Sequence, residues 1–326
     1  MSARSVDWLG LSGEHVRVLI ALERSLTIRR LATESELPYA TALRKLRELS
    51  GMFSLRLLLR FEKLGLLPFA VLARAEASPP PFTTLKVAAG GVESVSIFVG
   101  LVPAGYVEKF KQDAGGGIAL RGLELLYWSP SSLAGGGPLN PASPDLLALP
   151  AEVTPAARAP DAIDLALLSY KLNTPFLRLS EAYRRALAAG GGLPEVSRQA
   201  AAYHWRRHIL PHVVGVRAFP LDPEEPLQVF YLEGWRAHAA ARALRGLPGF
   251  AFALVDRGGS LVFARLDAKQ RAALYSVVRL AGVRLPLGEL ISEKVEHYRL
   301  HFWKSVRGKS WLYASSGHRA TRPFFP

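Results

Sequence analysis

Apolar residues recur at helical spacing in three consecutive segments near the start of the chain. A helix capped by its first serine is predicted over residues 12–24, a shorter one over residues 26–37, and a third over residues 37–49. Residues 54–62 (SLRLLLRFE) then alternate apolar with polar or basic side chains, as a half-buried strand does. Three helices followed by a β hairpin is the winged helix-turn-helix order, which we predict for residues 1–64.

The same order returns in the second half of the chain. Helical patterns cover residues 161–172, 178–192 and 193–210, and the strand-like segment 212–221 follows them. We therefore predict a second winged helix-turn-helix over residues 161–222. This repeat is inferred from the order of elements rather than from identical letters.

A β-rich segment follows each helical unit. Residues 223–305 predict the order strand, helix, two strands, helix, strand, with Gly258 and Gly259 forming a tight turn between the middle strands. That is the ferredoxin-like order, and residues 65–128 predict a shorter copy of it. Residues 129–160 hold seven prolines and read as a linker, and residues 306–326 as a basic, aromatic tail. The predicted fold class is α+β, two winged helix-turn-helix domains each followed by a ferredoxin-like βαββαβ domain.

The charge of the chain points to a polyanionic partner. The formal net charge is +14 and the sequence pI is about 10.2, which favours nucleic acid or an anionic membrane surface. The absence of cysteine excludes disulfides, thiolate nucleophiles and cysteine-ligated zinc. No apolar run approaches ~20 residues and the first residues lack a signal-peptide pattern, so we expect a soluble, cytoplasmic protein with no membrane partner. The scarcity of heat-labile side chains fits a thermophile or a GC-rich coding bias.

The third helix of each unit is predicted to contact double-stranded DNA. In the second unit Ala201, Trp205 and Ile209 can form a buried stripe, which leaves Arg198 and Gln199 on the opposite face to read base edges. In the first unit Ala42, Leu46 and Leu49 are the corresponding buried residues. The wings are expected to touch the DNA backbone and the tail to add basic contacts. The predicted DNA-binding residues are Tyr39, Thr41, Arg44, Lys45, Arg56, Arg60, Ser197, Arg198, Gln199, Tyr203, Arg206, Arg207, Arg217, Lys304, Arg307 and Lys309.

These segments resemble a known family. SLTIRRLATESELPYATALRKLREL looks like the helix-turn-helix of the Lrp/AsnC (leucine-responsive) transcription regulators of archaea and bacteria, RFEKLGLLPFAVLARA is similar to their passage into the effector domain, and LVDRGGSLVFARLDAKQRAAL resembles the middle of that domain. The resemblance implies a sequence-specific transcription regulator. Family members carry one domain of each kind, whereas this chain carries two, which implies a monomeric pseudo-dimer or a homodimer. The loop 257–260 (RGGS) replaces an acidic loop, so an amino-acid effector is not expected and any small-molecule effector is unknown.

Three alternatives remain beside the regulator. The histidines His204, His208 and His212 recur at spacing four and could hold a metal, although Pro211 should end the helix before the last of them. Siroheme decarboxylases share the Lrp/AsnC-like architecture and use His and Arg on a tetrapyrrole, and a fused pair would have this length. Their histidine-bearing strand motifs are not found in either effector copy. A third alternative is a non-specific RNA- or DNA-binding architectural protein. Since no nucleotide-binding, nucleophile-elbow or metalloprotease motif occurs, we predict no enzymatic activity, no metal and no cofactor.

Overall fold

The first helical unit consists of three helices packed around a small core. The computed structural model describes residues 10–74, 77–91, 93–130, 138–220, 226–313 and 320–321. The helices are α1 (Gly13–Leu22), α2 (Ile28–Glu34) and α3 (Tyr39–Met52), followed by strand β1 (Phe53–Leu59). Ser12 caps α1 and Thr27 caps α2. The predicted order of elements is confirmed, although α3 begins at Tyr39 rather than at residue 37, because Pro38 stands at its cap in an extended conformation.

The first sheet domain lacks one helix of the ferredoxin-like pattern. Its elements are β2 (Leu66–Ala73), β3 (Thr83–Gly90), β4 (Val95–Pro103), α4 (Val107–Asp113) and β5 (Ile118–Arg121). The strands lie in the order β5-β2-β4-β3, which is the ferredoxin-like order 4-1-3-2. The described residues between β2 and β3 form no helix, so the shorter first copy is confirmed.

The segment 118–128, at the end of the first sheet domain, forms two strands. β5 ends at Arg121, and β6 (Glu124–Tyr127) leaves the first domain to pair with a strand of the second. Gly122 lies at the break, where a Cβ atom would stand 2.8 Å from the Cβ of Pro68. The close approach therefore requires glycine at the point where the chain crosses between the two halves.

The second half repeats the plan in full. After a short helix α5 (Pro144–Leu147), the second helical unit contains α6 (Ala162–Lys171), α7 (Leu179–Ala188) and α8 (Arg198–His204), and β7 (Val213–Pro220) follows. A π-helical turn, Trp205–Ile209, extends α8. The second sheet domain comprises β8 (Gln228–Glu233), α9 (Ala237–Leu244), β9 (Phe250–Val255), β10 (Gly259–Ala264), α10 (Ala268–Ala281) and β11 (Glu289–Tyr298). Its order, β11-β8-β10-β9, is again 4-1-3-2. The third helix is shorter than the expected 193–210, since Ser197 caps it and residues 193–197 are not helical.

The two sheet domains form one continuous antiparallel sheet. β3 pairs with β11 along residues 85–90, and β6 adds to β9 at the far edge. The halves also pack against each other, with β2 and β5 in contact with β9 through a core shared by both halves. The helices and the helical units cover the opposite face. Two short strands, β12 (Val306–Arg307) and β13 (Ser310–Trp311), pair in the tail, and β14 (Ala320–Thr321) pairs with β11. The rest of the tail beyond Tyr313 lies outside the described residues.

The wings differ from the expected arrangement. We predicted a separate hairpin in each helical unit, but β1 pairs with β7, so each unit contributes one strand to a shared two-stranded ribbon. Gly215 allows β7 to lie against the first unit, because a Cβ atom there would stand 2.0 Å from the carbonyl oxygen of Glu23. Leu55, Leu57 and Leu59 are buried on one face of the ribbon. The two units are therefore joined by backbone hydrogen bonds as well as by side chains.

The described chain contains no helix with both the length and the apolar character that crossing a bilayer demands.

Substitution of Trp128 tests how much the packing of the segment after β6 contributes to the stability of the fold. Its side chain is fully buried, directly after β6, and stacks on Phe53 of β1 with ring centroids 6.0 Å apart. We expect Trp128→Ala to lower the free energy of unfolding by about 3–5 kcal/mol, measured by chemical denaturation. Trp235 is 67% exposed, and Trp235→Ala is the matched control, with a change within about 0.5 kcal/mol. Equal effects of the two substitutions would contradict the packing described.

Candidate functional site

The predicted reading face of the second helical unit is exposed. Ala201, Trp205 and Ile209 are buried, which confirms the predicted stripe. The side chains on the other faces of this helix are accessible, and they include the predicted contacts Ser197, Arg198, Gln199, Tyr203, Arg206 and Arg207. Their role in DNA binding stays a prediction.

The corresponding face of α3 is less exposed, and two of its basic side chains are paired with a carboxylate of the same helix. Tyr39 is 51% exposed, and Arg44 is exposed but lies 3.3 Å from Glu48. Thr41 is half-buried. Lys45 is buried, and its ammonium donates to Glu48 at 2.8 Å. A lysine held in this way inside the unit is not available to a phosphate.

Some residues near the end of the chain pack against the rest of the molecule, and others are exposed. Lys304 donates to the carbonyl oxygen of Ala189 at 2.7 Å, and Trp303 is buried. Arg307 and Lys309 are exposed. The described aromatic residues of the tail, Trp311 and Tyr313, pack against Phe82 of the first sheet domain.

The predicted wing contacts Arg56 and Arg217 lie inside the molecule. They are direct partners in the β1–β7 pairing, so the two guanidinium groups leave the same face of the ribbon side by side. Both are half-buried, whereas Arg60 at the end of β1 is exposed. Like charges placed opposite each other in an antiparallel pair destabilise it unless an anion lies between them.

Further arginines surround this pair. We call Arg56, Arg217, Arg245, Arg265 and Arg299 the arginine cluster. Burial, and the positive charge of Arg299, lower the pKa of Arg56. Burial, and then Arg217, likewise lower that of Arg245, whose Nε donates to the carbonyl oxygen of Tyr127 at 3.0 Å. Burial also lowers the pKa of Arg299, whose guanidinium lies over the ring of Tyr170 at 5.4 Å.

Few carboxylates of the described residues compensate this charge. Glu23 lies 3.3 Å from Arg217, and Glu124 lies 2.7 Å from Arg242, which neighbours the cluster. Within the described chain no carboxylate lies within 4 Å of Arg56. Among the described residues the paired guanidinium groups of Arg56 and Arg217 thus have one carboxylate within 4 Å, that of Glu23, and such a partly desolvated pair favours the binding of an anion.

His297 faces the cluster from β11. Its side chain lies two residues beyond Val295, on the sheet face that carries the shared core. The side chain is accessible to solvent, yet desolvation, and then the charges of Arg56 and Arg265, lower its pKa from 6.5 to about 4. His297 is thus a neutral imidazole at pH 7.

Aromatic rings border the same place. Phe219 of β7 lies 5.2 Å from Tyr127 and 6.4 Å from Phe252, and Phe252 stacks on Phe263 at 4.3 Å. Burial raises the pKa of Tyr127, so its phenol stays protonated. The site combines cationic groups, a neutral imidazole and flat apolar surfaces, which suits a planar ligand with several carboxylates.

Sequence reasoning missed this site as a whole. Arg56 and Arg217 were predicted as DNA contacts because each wing was expected to form its own hairpin. His297, Arg265 and Arg299 received no role, since they are separated from the wings by as many as 243 positions. The signal that could have found them is the alternation of His297 and Arg299 with apolar residues at the end of the last strand.

One group of residues in the described chain could hold a metal ion. Asp161, Asp164, His204 and His208 offer ligand atoms that all lie within 4.8 Å of one another. The histidine pair was noted in the sequence, but the aspartates come from α6 and its cap, 40 or more positions away, and were not connected with it.

Comparisons with known proteins identify similar structures but no family. No family model matches the chain, and no curated protein matches it significantly. A crystal structure of the siroheme decarboxylase NirDL is 11% identical, with a TM-score of 0.47 over 91% of this chain and 94% of that one. The structure of NirDL in complex with an iron-uroporphyrin III analogue is 10% identical, with a TM-score of 0.47 over 94% and 95% of the two chains.

The prediction of a protein without enzymatic activity is corrected by this comparison, because both of these solved structures are of an enzyme.

The titration of His297 tests the electrostatics of the site. We expect its imidazole, followed by NMR, to titrate near pH 4 in the free protein. Arg56→Gln removes a positive charge beside it and should raise that midpoint, whereas Arg279→Gln, at an exposed position on α10, should leave it unchanged. A midpoint at the ordinary value of 6.5 would show that the imidazole is not desolvated.

The same shift predicts how stability depends on pH. Because folding lowers the pKa of His297, the unfolded chain binds more protons between pH 6.5 and about 4. The stability linked to this group is present above pH 6.5 and is lost as the pH falls towards 4. His297→Gln should therefore flatten the acid limb of a denaturation profile in that window. An unchanged acid limb would mean that the imidazole is not desolvated.

Proposed function

We propose that this chain is an enzyme that binds a carboxylate-rich tetrapyrrole of the siroheme kind and removes carboxyl groups from it. The observation that carries the proposal is the position of Arg56 and Arg217, side by side on one face of the shared ribbon, with the charge of Arg56 close enough to lower the pKa of His297. A tetrapyrrole joins a flat apolar ring to several peripheral carboxylates. The arginines suit the carboxylates, and the rings of Tyr127, Phe219 and Phe252 suit the macrocycle.

Binding would change the protonation of His297. Desolvation is the first cause of its lowered pKa, and carboxylates of the substrate that pair with Arg56 and Arg265 would offset the two charges that lower it further. The imidazole could then take up a proton. A histidine with this behaviour is neutral in the empty site and a proton donor in the loaded one, which is the property required of a general acid.

The reaction can be written with the groups at hand. When the bond between a side-chain methylene carbon and its carboxylate breaks, CO2 leaves and the electron pair remains on the carbon. His297 would donate a proton to that carbon, so that the acetate group becomes a methyl group. The arginines would hold the remaining carboxylates and fix the ring relative to the imidazole.

Substitution in the cluster separates binding from folding. We expect Arg56→Gln to weaken the binding of iron-uroporphyrin, measured by absorbance titration, by roughly 10–100-fold, because hydrogen bonds to charged groups contribute about 1.5–3 kcal/mol. Arg279→Gln, at an exposed position away from the cluster, is the control and should bind as the unchanged chain does. Release of CO2 from siroheme should be lost in His297→Ala, while that variant still binds the tetrapyrrole.

Two results would overturn the proposal. One is a chain that leaves the absorbance of iron-uroporphyrin unchanged at micromolar concentration. The other is equal binding by the Arg56 and Arg279 variants.

Sequence-specific DNA binding is the second candidate, favoured by the exposed basic face of α8. Replacing both Arg198 and Gln199 by Ala should relax sequence preference, since each good base contact contributes ~1–3 kcal/mol. Gel-shift competition between a selected duplex and random duplex measures this. Undiminished preference in the double variant would exclude α8 as the reading helix, and absence of any shifted duplex would exclude the candidate.

A further inference from the structure

The candidate metal ligands come from two helices of the second helical unit. Asp161 and Asp164 stand three residues apart at the start of α6, and His204 and His208 stand four apart on α8 and its π-helical extension. Each spacing places its two side chains on one helix face. The Nδ1 atom of His204 lies 3.0 Å from Asp164 and 3.2 Å from Asp161, and that of His208 lies 3.0 Å from Asp164.

The charge of the group is unbalanced. Asp164 is 2% exposed, and within the described residues no lysine or arginine nitrogen lies within 4 Å of either aspartate. With both carboxylates ionised and both imidazoles neutral, the group would carry two negative charges, one of them buried. A buried charge is costly unless it is paired or coordinates a metal. A divalent cation would bring the total charge to zero.

The first helical unit shows how the same position is neutralised without a metal. Ser12 and Asp161 are the caps of the equivalent helices, and His15 and Asp164 both follow their caps by three residues. Lys45 and His204 both follow the buried alanine of the third helix by three residues. Glu48 and His208 both precede its last buried residue, since the π-helical turn accounts for one extra residue in the second unit.

At these four positions the second unit has more metal-binding groups than the first unit and no lysine. In the first unit the ammonium of Lys45 donates to Glu48 at 2.8 Å, and His15 lies 2.7 Å from the same carboxylate. The first unit therefore contains its own fixed cation. The second unit has lost the lysine, has gained a carboxylate, and has two imidazoles, which are the ligands that zinc prefers beside carboxylates.

The ligand geometry is compatible with a small ion. Zinc binds imidazole nitrogen and carboxylate oxygen at about 2.0–2.2 Å, so neighbouring ligands of a tetrahedral ion stand roughly 3.3–3.5 Å apart. The three distances above are slightly shorter than this, and all four ligand atoms lie within 4.8 Å of one another, so the pairs that stand farther apart would have to approach to bind one ion. Asp161 is also oriented for the role, because its Oδ1 accepts from the backbone N–H of Asp164 at 2.8 Å and its Oδ2 faces His204.

We propose that Asp161, Asp164, His204 and His208 bind one zinc ion, which fixes α8 to the start of α6. The site is separate from the arginine cluster and does not depend on the proposed function.

Equilibrium dialysis of the full chain, stripped with a chelator and then exposed to micromolar Zn2+, tests the site. We expect one zinc per chain by elemental analysis, and a rise in the thermal midpoint when the ion is added. His204→Ala and His208→Ala should each weaken binding by at least about 10-fold. His212→Ala is the matched control, because this histidine lies four residues further on but outside the ligand group. His297→Ala controls for zinc at the arginine cluster.

Co2+ in place of zinc keeps the test independent of folding defects. A tetrahedral site of nitrogen and oxygen ligands gives Co2+ a visible absorption band, which should appear in the unchanged chain and in the His212 variant and be absent from Asp164→Asn. Circular dichroism verifies that each variant is folded. No saturable binding of either ion to the unchanged chain would overturn the proposal and leave a hydrogen-bonded histidine–aspartate network. Equal binding by the His204, His208 and His212 variants would overturn it as well.

Discussion

The pairing of β1 with β7 is the constraint on which the candidate site depends. Each strand is the wing of a different helical unit, and their register places Arg56 directly opposite Arg217. Buried leucines occupy one face of the ribbon. Because successive side chains of a strand point to opposite faces, the two arginines lie on the other face. A slip of one residue would move the arginines into the leucine core. The register thus holds two like charges together at a cost that an anionic ligand would remove.

The continuous sheet holds His297 in a fixed position relative to this ribbon. Because β3 pairs with β11, the strand that carries His297 lies in the middle of the sheet rather than at an edge. The crossing of β6 to β9 brings Tyr127 beside Phe219 from the other half. Both halves of the chain therefore contribute to one site. A duplicated chain can place different residues at equivalent positions of its two halves, which a symmetric pair of identical subunits cannot do.

The spacing of apolar residues within short segments was enough to predict the helices and strands. It could not predict which strands pair when the partners are far apart in the sequence. The cap Ser12, the buried stripe of α8 and the βαββαβ order of the second sheet domain follow from spacing within short segments, whereas the cap Ser197 was missed and its helix begins five residues later than predicted. The pairing of the two wing strands with each other could not be predicted. The alternation of apolar and polar residues in β1 fits a hairpin within its own helical unit equally well. The arginine cluster depends on that pairing, and so its members looked like surface bases. The same basic residues fit DNA or a polycarboxylate until their burial is known.

The two helical units show how one frame can hold different polar chemistry. Their apolar contacts are alike, with an alanine and two large residues buried along the third helix of each. The polar contact between the first and third helices differs, although it is largely buried in both units, with Lys45 8% and Asp164 2% exposed. In the first unit this contact is a lysine–glutamate pair, so the unit contains its own cation. In the second it is a histidine–aspartate group without a lysine, and these are the side chains that we propose bind zinc. The same helical frame would therefore join its first and third helices through a lysine in one half of the molecule and through an ion from solution in the other.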